Sequence, residues 1–193
     1  QQLLTKIKQL PAGCLLVLSG SLPPNMNTTA INELLQCAKD HGLRTVVDSS
    51  GDALKTAVNF GGLELIKPNQ SELAELTGQT LEQPDQVVNA ARQLIAQGAA
   101  KRIVVSLGPQ GALGVDAELC VQVVPPPVIK RSTVGAGDSM VGAMVMKLAD
   151  GADLTEMVRF GVAAGTAATM NQGTKLCSKE DTERLYQYLN QPQ

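Results

Sequence analysis

The sequence is poor in the residues from which many binding surfaces are built. Trp is absent, and only Phe60, Phe160, Tyr186 and Tyr188 are aromatic. Stacking platforms for nucleic-acid bases and clefts that grip sugar rings both need aromatic faces, so neither is expected. There is a single histidine, His41, and the four cysteines (Cys14, Cys37, Cys120 and Cys177) contain no C-x-x-C pair. That set cannot assemble the usual zinc spacings. The first three cysteines sit among apolar neighbours and read as small buried hydrophobes in a reducing compartment. His41, just before Gly42, reads as a solvated cation at a helix C-terminus. No segment approaches 18 uninterrupted apolar residues and no basic stretch precedes an apolar one at the start, so neither a membrane span nor a secretory signal is expected.

Charge is scarce as well. Lys and Arg number 16 against 18 for Asp and Glu, a formal net of −2. A chain so weakly acidic has no global attraction for nucleic acid or anionic lipid, and any phosphate it binds must be held locally. Apolar residues, by contrast, make up 44% of the 193 positions, enough for a substantial core. No repeat, low-complexity linker or break in composition divides them, and a single domain over 1–193 is expected.

The order of elements points to an α/β fold. Short apolar runs at 14–18, 45–47, 63–66 and 102–106 read as buried strands. Between them lie helical patterns at 27–42, where Ile31, Leu34, Leu35 and Ala38 share a face, and at about 84–97. Alternation of this kind means βαβ units and a mostly parallel sheet covered on both faces. Residues 111–124 read as a hairpin around Asp116-Ala-Glu118, and Pro125-Pro126-Pro127 forces an extended stretch. Helices are expected at 138–150, after the capping-box-like Asp153-Leu-Thr-Glu156, and at about 179–189. In the middle one, Gly161, Ala163, Ala164, Gly165, Ala167 and Ala168 permit close packing on a neighbour.

In parallel sheets, ligands bind beyond the carboxyl ends of the strands. The sharpest candidate there is Val134-Gly-Ala-Gly-Asp138, leading into a helix. Two glycines around one small residue let several N–H groups face one point at the positive end of a helix dipole, which suits an anion. Asp138 is either a plain N-cap or a carboxylate at the rim of that cup. No Gly-Lys-Ser/Thr follows, so this is not a Walker A loop, and Met140 replaces the third glycine of a dinucleotide fingerprint. Asn69-Gln-Ser-Glu72 is either a capping box or an amide and a carboxylate that orient water on Mg2+. Ser106-Leu-Gly108-Pro-Gln-Gly111 is either a tight turn or a close approach of backbone to ligand. Asp48 is a turn former or a neighbour of a metal.

Taken in order, these segments resemble the ribokinase-like (PfkB) carbohydrate kinases, which transfer phosphate from ATP to a sugar hydroxyl. Ser132-Thr-Val-Gly-Ala-Gly-Asp138 is similar to the family's C-terminal signature. Asn69-Gln-Ser-Glu72, preceded by Lys67-Pro68, is similar to its magnesium motif, and Gly20-Ser-Leu-Pro23 to a segment of its phosphosugar members. The resemblance implies a three-layer α/β/α sandwich and a cytoplasmic glycolytic enzyme acting on fructose 6-phosphate. Tagatose 6-phosphate and fructose 1-phosphate are the alternative substrates. Nothing in the sequence corresponds to the family's N-terminal lid and part of its sugar pocket, so a C-terminal fragment of a longer, homodimeric kinase is expected. Alone, it is expected to be an inactive ATP-binding module.

Carried over by position, the resemblance makes Asp138 the base that takes the sugar hydroxyl's proton. Gly135, Ala136 and Gly137 form the anion hole. Lys67, Asn69, Ser106, Leu107, Gly108, Pro109, Gln110 and Gly111 hold ATP, and Ser21 joins Asp138 at the sugar phosphate. Glu72 and Asp48 act on Mg2+ through water. Ser132, Val134, Ala168, Asn171, Gly173 and Lys175 correspond to a K+ site built mostly from carbonyl oxygens, with Ser132 standing where most members have Asp.

Overall fold

The computed structural model describes residues 2–22 and 27–191, so Pro23 of the Gly-Ser-Leu-Pro segment lies outside the described residues. Six strands lie in one sheet in chain order, β1 to β6. The chain divides into two compact units, one of Gln1–Val105 with Val115–Glu118 and one of Ser106–Gly114 with Leu119–Gln193.

The first unit carries β1 (Leu15–Ser19), β2 (Arg44–Asp48), β3 (Leu63–Ile66) and β4 (Ala100–Ser106). These run parallel, with Val17 opposite Val46, Val46 opposite Leu65 and Leu65 opposite Arg102. The helices are α1 (Gln2–Ile7), α2 (Thr28–Asp40), α3 (Gly51–Phe60), α4 (Gln70–Thr77) and α5 (Pro84–Ala96). Strands that advance in one direction through right-handed crossovers place their connecting helices on a common face. Val46, Val47, Leu65, Ile66 and Ile103 are at most 2% exposed. Each contributes about 1.5–3 kcal/mol by leaving water. Such continuous burial is what a sheet covered on both faces requires.

One residue in these strands breaks the apolar pattern. Glu64, in the middle of β3, is 4% exposed. It meets Arg44 from β2 at 3.2 Å, and Lys101 and Arg102 from β4 at 3.0 and 2.5 Å. Burial, the largest influence, pushes the carboxyl's pKa up. Hydrogen bonds and charge from Arg44 and Lys101 together outweigh it and bring the pKa from 4.5 down to about 2.

The second unit holds β5 (Ala112–Val115, its last residue counted with the first unit) and β6 (Cys120–Val123). It also holds α6 (Ala136–Ala149), α7 (Leu154–Thr169) and α8 (Lys179–Leu189). The link between β5 and β6 is too short for a crossover, so the pair is an antiparallel hairpin. The small residues of α7 pack as the sequence suggests. A Cβ on Gly161 would fall 2.6 Å from Met144 Cγ, and one on Gly165 would fall 3.2 Å from the Ala136 carbonyl. Two of the four aromatic rings meet here, Phe160 edge-on to Tyr186 at 5.1 Å. Lys147 Nζ lies 5.0 and 5.3 Å from those ring centres and 2.5 Å from Glu156.

Two local readings need correction. Cys120 is exposed rather than buried, because it opens the outer strand of the hairpin; Cys37 is buried and Cys14 half-buried. The predicted helix at 138–150 starts two residues earlier, at Ala136. His41 does cap α2, half-buried, with Nδ1 2.9 Å from the Cys37 carbonyl. Among the described residues, no helix is long and apolar enough to cross a membrane.

Candidate functional site

The mouth of α6 is shaped by Gly135. Its φ of 78° and ψ of 0° are left-handed, it is the N-cap, and it offers no side chain to satisfy the first turn. Its carbonyl accepts from the Ser139 N–H at 2.9 Å, and the Ala136 N–H reaches the Thr133 carbonyl at 3.4 Å. The N–H groups of Gly137 and Asp138 have no acceptor among the described residues. Two open donors therefore sit at the positive end of a 14-residue helix. Asp138 is the third helical residue, so it is not the N-cap. Its exposed carboxylate has no side-chain partner among the described residues.

A cleft of about 430 Å³ in the same unit is bordered by Ser106, Gly108, Pro109, Gly111, Ala136 and Gly137. The loop after β4 and the start of α6 thus share one cavity, of a size that suits a small organic ligand. Leu107 and Gln110 do not line it; they close the turn. The Leu107 N–H donates to the Gly111 carbonyl at 2.8 Å, and the Gln110 N–H to the Leu107 carbonyl at 3.2 Å. Gly111 has φ 87°, and a Cβ there would fall 1.9 Å from the Val123 carbonyl, so no other residue fits.

The rest of the cleft wall was not singled out from sequence. It comes from the proline stretch (Pro125 to Val128), from Lys130 and Thr133, and from Met140, Val162, Gly165, Thr166 and Thr169. The triple proline was a signal for a rigid extended wall; the helical residues gave none, because they are scattered over two helices. Thr166 donates its hydroxyl proton to the Val162 carbonyl at 2.6 Å and Thr169 to the Thr166 carbonyl at 2.7 Å. Both hydroxyls can therefore only accept from a ligand.

Beside the mouth of α6, the loop before it meets the segment after α7. The Ser132 hydroxyl donates to the Gly173 carbonyl at 2.7 Å and accepts from the Val134 N–H at 3.2 Å. The Ala168 carbonyl accepts from the Asn171 N–H at 3.1 Å, and Asn171 Nδ2 donates to the Leu176 carbonyl at 2.8 Å. Two separate sets of bonds result, one joining Ser132, Val134 and Gly173 and the other Ala168, Asn171 and Leu176; Lys175 is exposed and has no part in either. The donor set is neutral oxygen, which fits a monovalent cation better than a transition metal.

In the first unit the candidates lie where β1, β2 and β3 end. Gly20 donates its N–H to the Asp48 carbonyl at 2.9 Å, and Ser21 beside it is exposed. Lys67, 8% exposed, pairs with Asp48 at 3.0 Å. Asn69 and Glu72 form a reciprocal capping box, both bonds 2.8 Å, at the start of α4. The capping reading of that motif is realised. Glu72 Oε1 and Asp48 Oδ2 have no partner among the described residues, so each keeps an oxygen that fits the water shell of Mg2+.

Comparison with known proteins bears on the family and the fold. A family model described as pfkB family carbohydrate kinase matches residues 1–181. ATP-dependent 6-phosphofructokinase isozyme 2 of Escherichia coli (strain K12) is 57% identical over 190 residues, 98% of this chain and 62% of that protein. The Mycobacterium tuberculosis protein of the same name is 36% identical over 177 residues, 91% of this chain and 51% of its own length. The crystal structure of phosphofructokinase-2 from Escherichia coli in complex with potassium superposes with a TM-score of 0.95 at 57% identity, covering 98% of this chain and 62% of that one. Ribokinase from Arabidopsis thaliana, at 20% identity and a TM-score of 0.76, shares the fold. The chain spans less than two thirds of the length of these relatives. With the match running through nearly every element described, the chain belongs to the pfkB family of carbohydrate kinases.

Proposed function

We propose that these residues are the nucleotide-binding and catalytic part of an ATP-dependent sugar-phosphate kinase acting on fructose 6-phosphate. The observation that carries the reading is the pairing, within one unit, of open amides at the mouth of α6 with the cleft bordered by Ser106, Gly108 and Gly111. A nucleotide in that cleft would direct its phosphate chain toward the amides of Gly137 and Asp138. Phosphoryl transfer is mostly positioning and charge stabilisation, and a fixed dipole at a helix start supplies both.

The Asp138 carboxylate accepts the proton of the attacking hydroxyl. The sugar oxygen bonds to the γ-phosphorus, the bond from phosphorus to the bridging oxygen breaks, and ADP leaves. By family resemblance, Gly135, Ala136 and Gly137 frame the transferring group, the Ala136 N–H being already bonded to the Thr133 carbonyl. Leu107 and Gln110 act by closing the loop that carries Gly108, Pro109 and Gly111. By family resemblance, Lys67 and Asn69 serve the nucleotide and Ser21 the sugar phosphate. Glu72 and Asp48 would hold Mg2+ through water; the ion neutralises charge on the phosphates. The carbonyls around Ser132, Val134, Ala168, Asn171 and Gly173 would hold K+, with Lys175 at the edge. We place the protein in the cytoplasm, as a homodimer when full-length; a tetrameric inhibited form is known for the Escherichia coli relative.

The test is turnover of the full-length kinase with ATP, magnesium and fructose 6-phosphate. Asp138→Asn is expected to lower kcat about 10²–10⁴-fold, the usual contribution of a general base, while ATP affinity holds. Unchanged kcat would refute the assignment. Fructose 1-phosphate and tagatose 6-phosphate belong in the same assay, since a 1-phosphofructokinase of Borreliella burgdorferi is 29% identical over 181 residues. A second reading, an ATP-binding module without turnover, is favoured for the isolated chain by the exposure of Asp138. ATP binding with no sugar phosphorylation would establish it.

A further inference from the structure

The cleft wall bears one charged side chain, and the family resemblance gave it no role. Lys130 is the only Lys, Arg, Asp or Glu among the lining residues. It forms no ion pair or hydrogen bond among the described residues. Lys67, the lysine that the resemblance gives to the nucleotide, is by contrast neutralised by Asp48 at 3.0 Å. The backbone around Lys130 is well fixed. Three prolines stiffen the approach to it. Just beyond it, the Arg131 and Ser132 N–H groups both donate to the Thr169 carbonyl, at 2.8 and 3.2 Å. Thr169 itself lines the cleft. The Lys130 backbone is thus held at the rim of a cavity with no carboxylate in its wall, and an anion is the ligand that would satisfy its unpaired ammonium.

We propose that Lys130 binds the phosphate chain of the nucleotide, adding a mobile positive charge to the fixed dipole of α6. The proposal rests on the nucleotide reading given above. Lys130 is exposed, so its contribution is that of a screened charge rather than a buried pair.

The experiment is calorimetric titration of the full 193-residue chain, as wild type, Lys130→Gln and Lys130→Arg, with ATP, ADP and adenosine. Lys130→Gln is expected to weaken ATP about five- to tenfold and to leave adenosine within about twofold. Lys130→Arg is expected to restore ATP binding, and added KCl to narrow the gap between wild type and Lys130→Gln. Equal losses for ATP and adenosine, or no loss for ATP, would overturn the role of Lys130 while leaving the nucleotide reading intact. Wild-type protein that binds none of the three ligands would overturn both.

Discussion

Glu64 offers the most direct test of how the first unit is held together. Its carboxyl is 4% exposed and surrounded by three cations, and its pKa falls from the ordinary 4.5 to about 2. A drop of that size is worth about 3 kcal/mol of stability at neutral pH. Because the folded pKa is the lower one, the stabilisation is complete above about pH 5 and is lost as pH falls through 4.5 toward 2. Near pH 3 roughly half of it remains. Glu64→Gln keeps the shape but leaves Arg44, Lys101 and Arg102 without their acceptor charge. Lys101 is 68% exposed at its side chain and can turn to water, so the penalty falls mainly on Arg44 and Arg102. The expected loss at pH 7 is about 2–4 kcal/mol by urea unfolding. The gap to wild type should close by about 2 kcal/mol at pH 3, since there the unfolded chain's carboxyl takes up a proton while the folded one stays mostly ionised, so the charge no longer favours the folded state as strongly. A gap that stays constant between pH 7 and pH 3 would mean that packing around β3, not the charge, accounts for the loss.

Two further substitutions address the second unit. Gly135→Ala places a side chain at φ 78° and a Cβ 2.7 Å from Leu176 Cδ2, so strain of about 1–3 kcal/mol is expected. Relief of that strain should reorient the amides at the mouth of α6, and ATP affinity should fall while the urea midpoint drops only modestly; unchanged affinity would show that Gly135 does not set the cup. Ser132→Ala removes the hydroxyl that joins Gly173 to Val134 and is expected to cost about 0.5–1.5 kcal/mol. If that tether shapes a cation site, more KCl will be needed for half-maximal ATP binding in Ser132→Ala than in wild type, whereas an identical KCl dependence would leave the tether purely structural.

Much of the fold could be read from periodicity. The run 63–66 is β3 to the residue, and the pattern from Pro84 yields α5. Helix α3 escaped notice because its buried face is Ala53, Leu54 and Ala57, two of them too small to register as a stripe. Glu64 was equally silent, since one acid inside an apolar run says nothing of the three cations that neighbouring strands bring to it. The motif glycines were legible as turn and loop signals. Why they must be glycine was not, because the obstacle at Gly111 is the carbonyl of Val123 on another strand. The cleft wall was hidden for the same reason: Met140, Val162 and Thr166 acquire a common surface only when α6 and α7 are side by side.

That pairing of α6 with α7 also sets where the amides of Gly135–Asp138 lie. Gly161 and Gly165 lie one turn apart on the same face of α7. Lacking side chains, they let α6 approach until Met144 covers one and the Ala136 carbonyl rests against the other. Ala136 is the first residue of α6, so the position of the open amides is set by a glycine on the neighbouring helix as well as by the motif itself. The scarcity of aromatics is met in the same place. Pro126, Val128, Met140 and Val162 give the cleft apolar walls without an aromatic ring among them. A base can be held between aliphatic surfaces through dispersion and exclusion of water, while Thr166 and Thr169 offer it acceptors only. Poverty in aromatics therefore argues against strand-binding platforms, where bases stack in series, but not against a pocket that encloses one base.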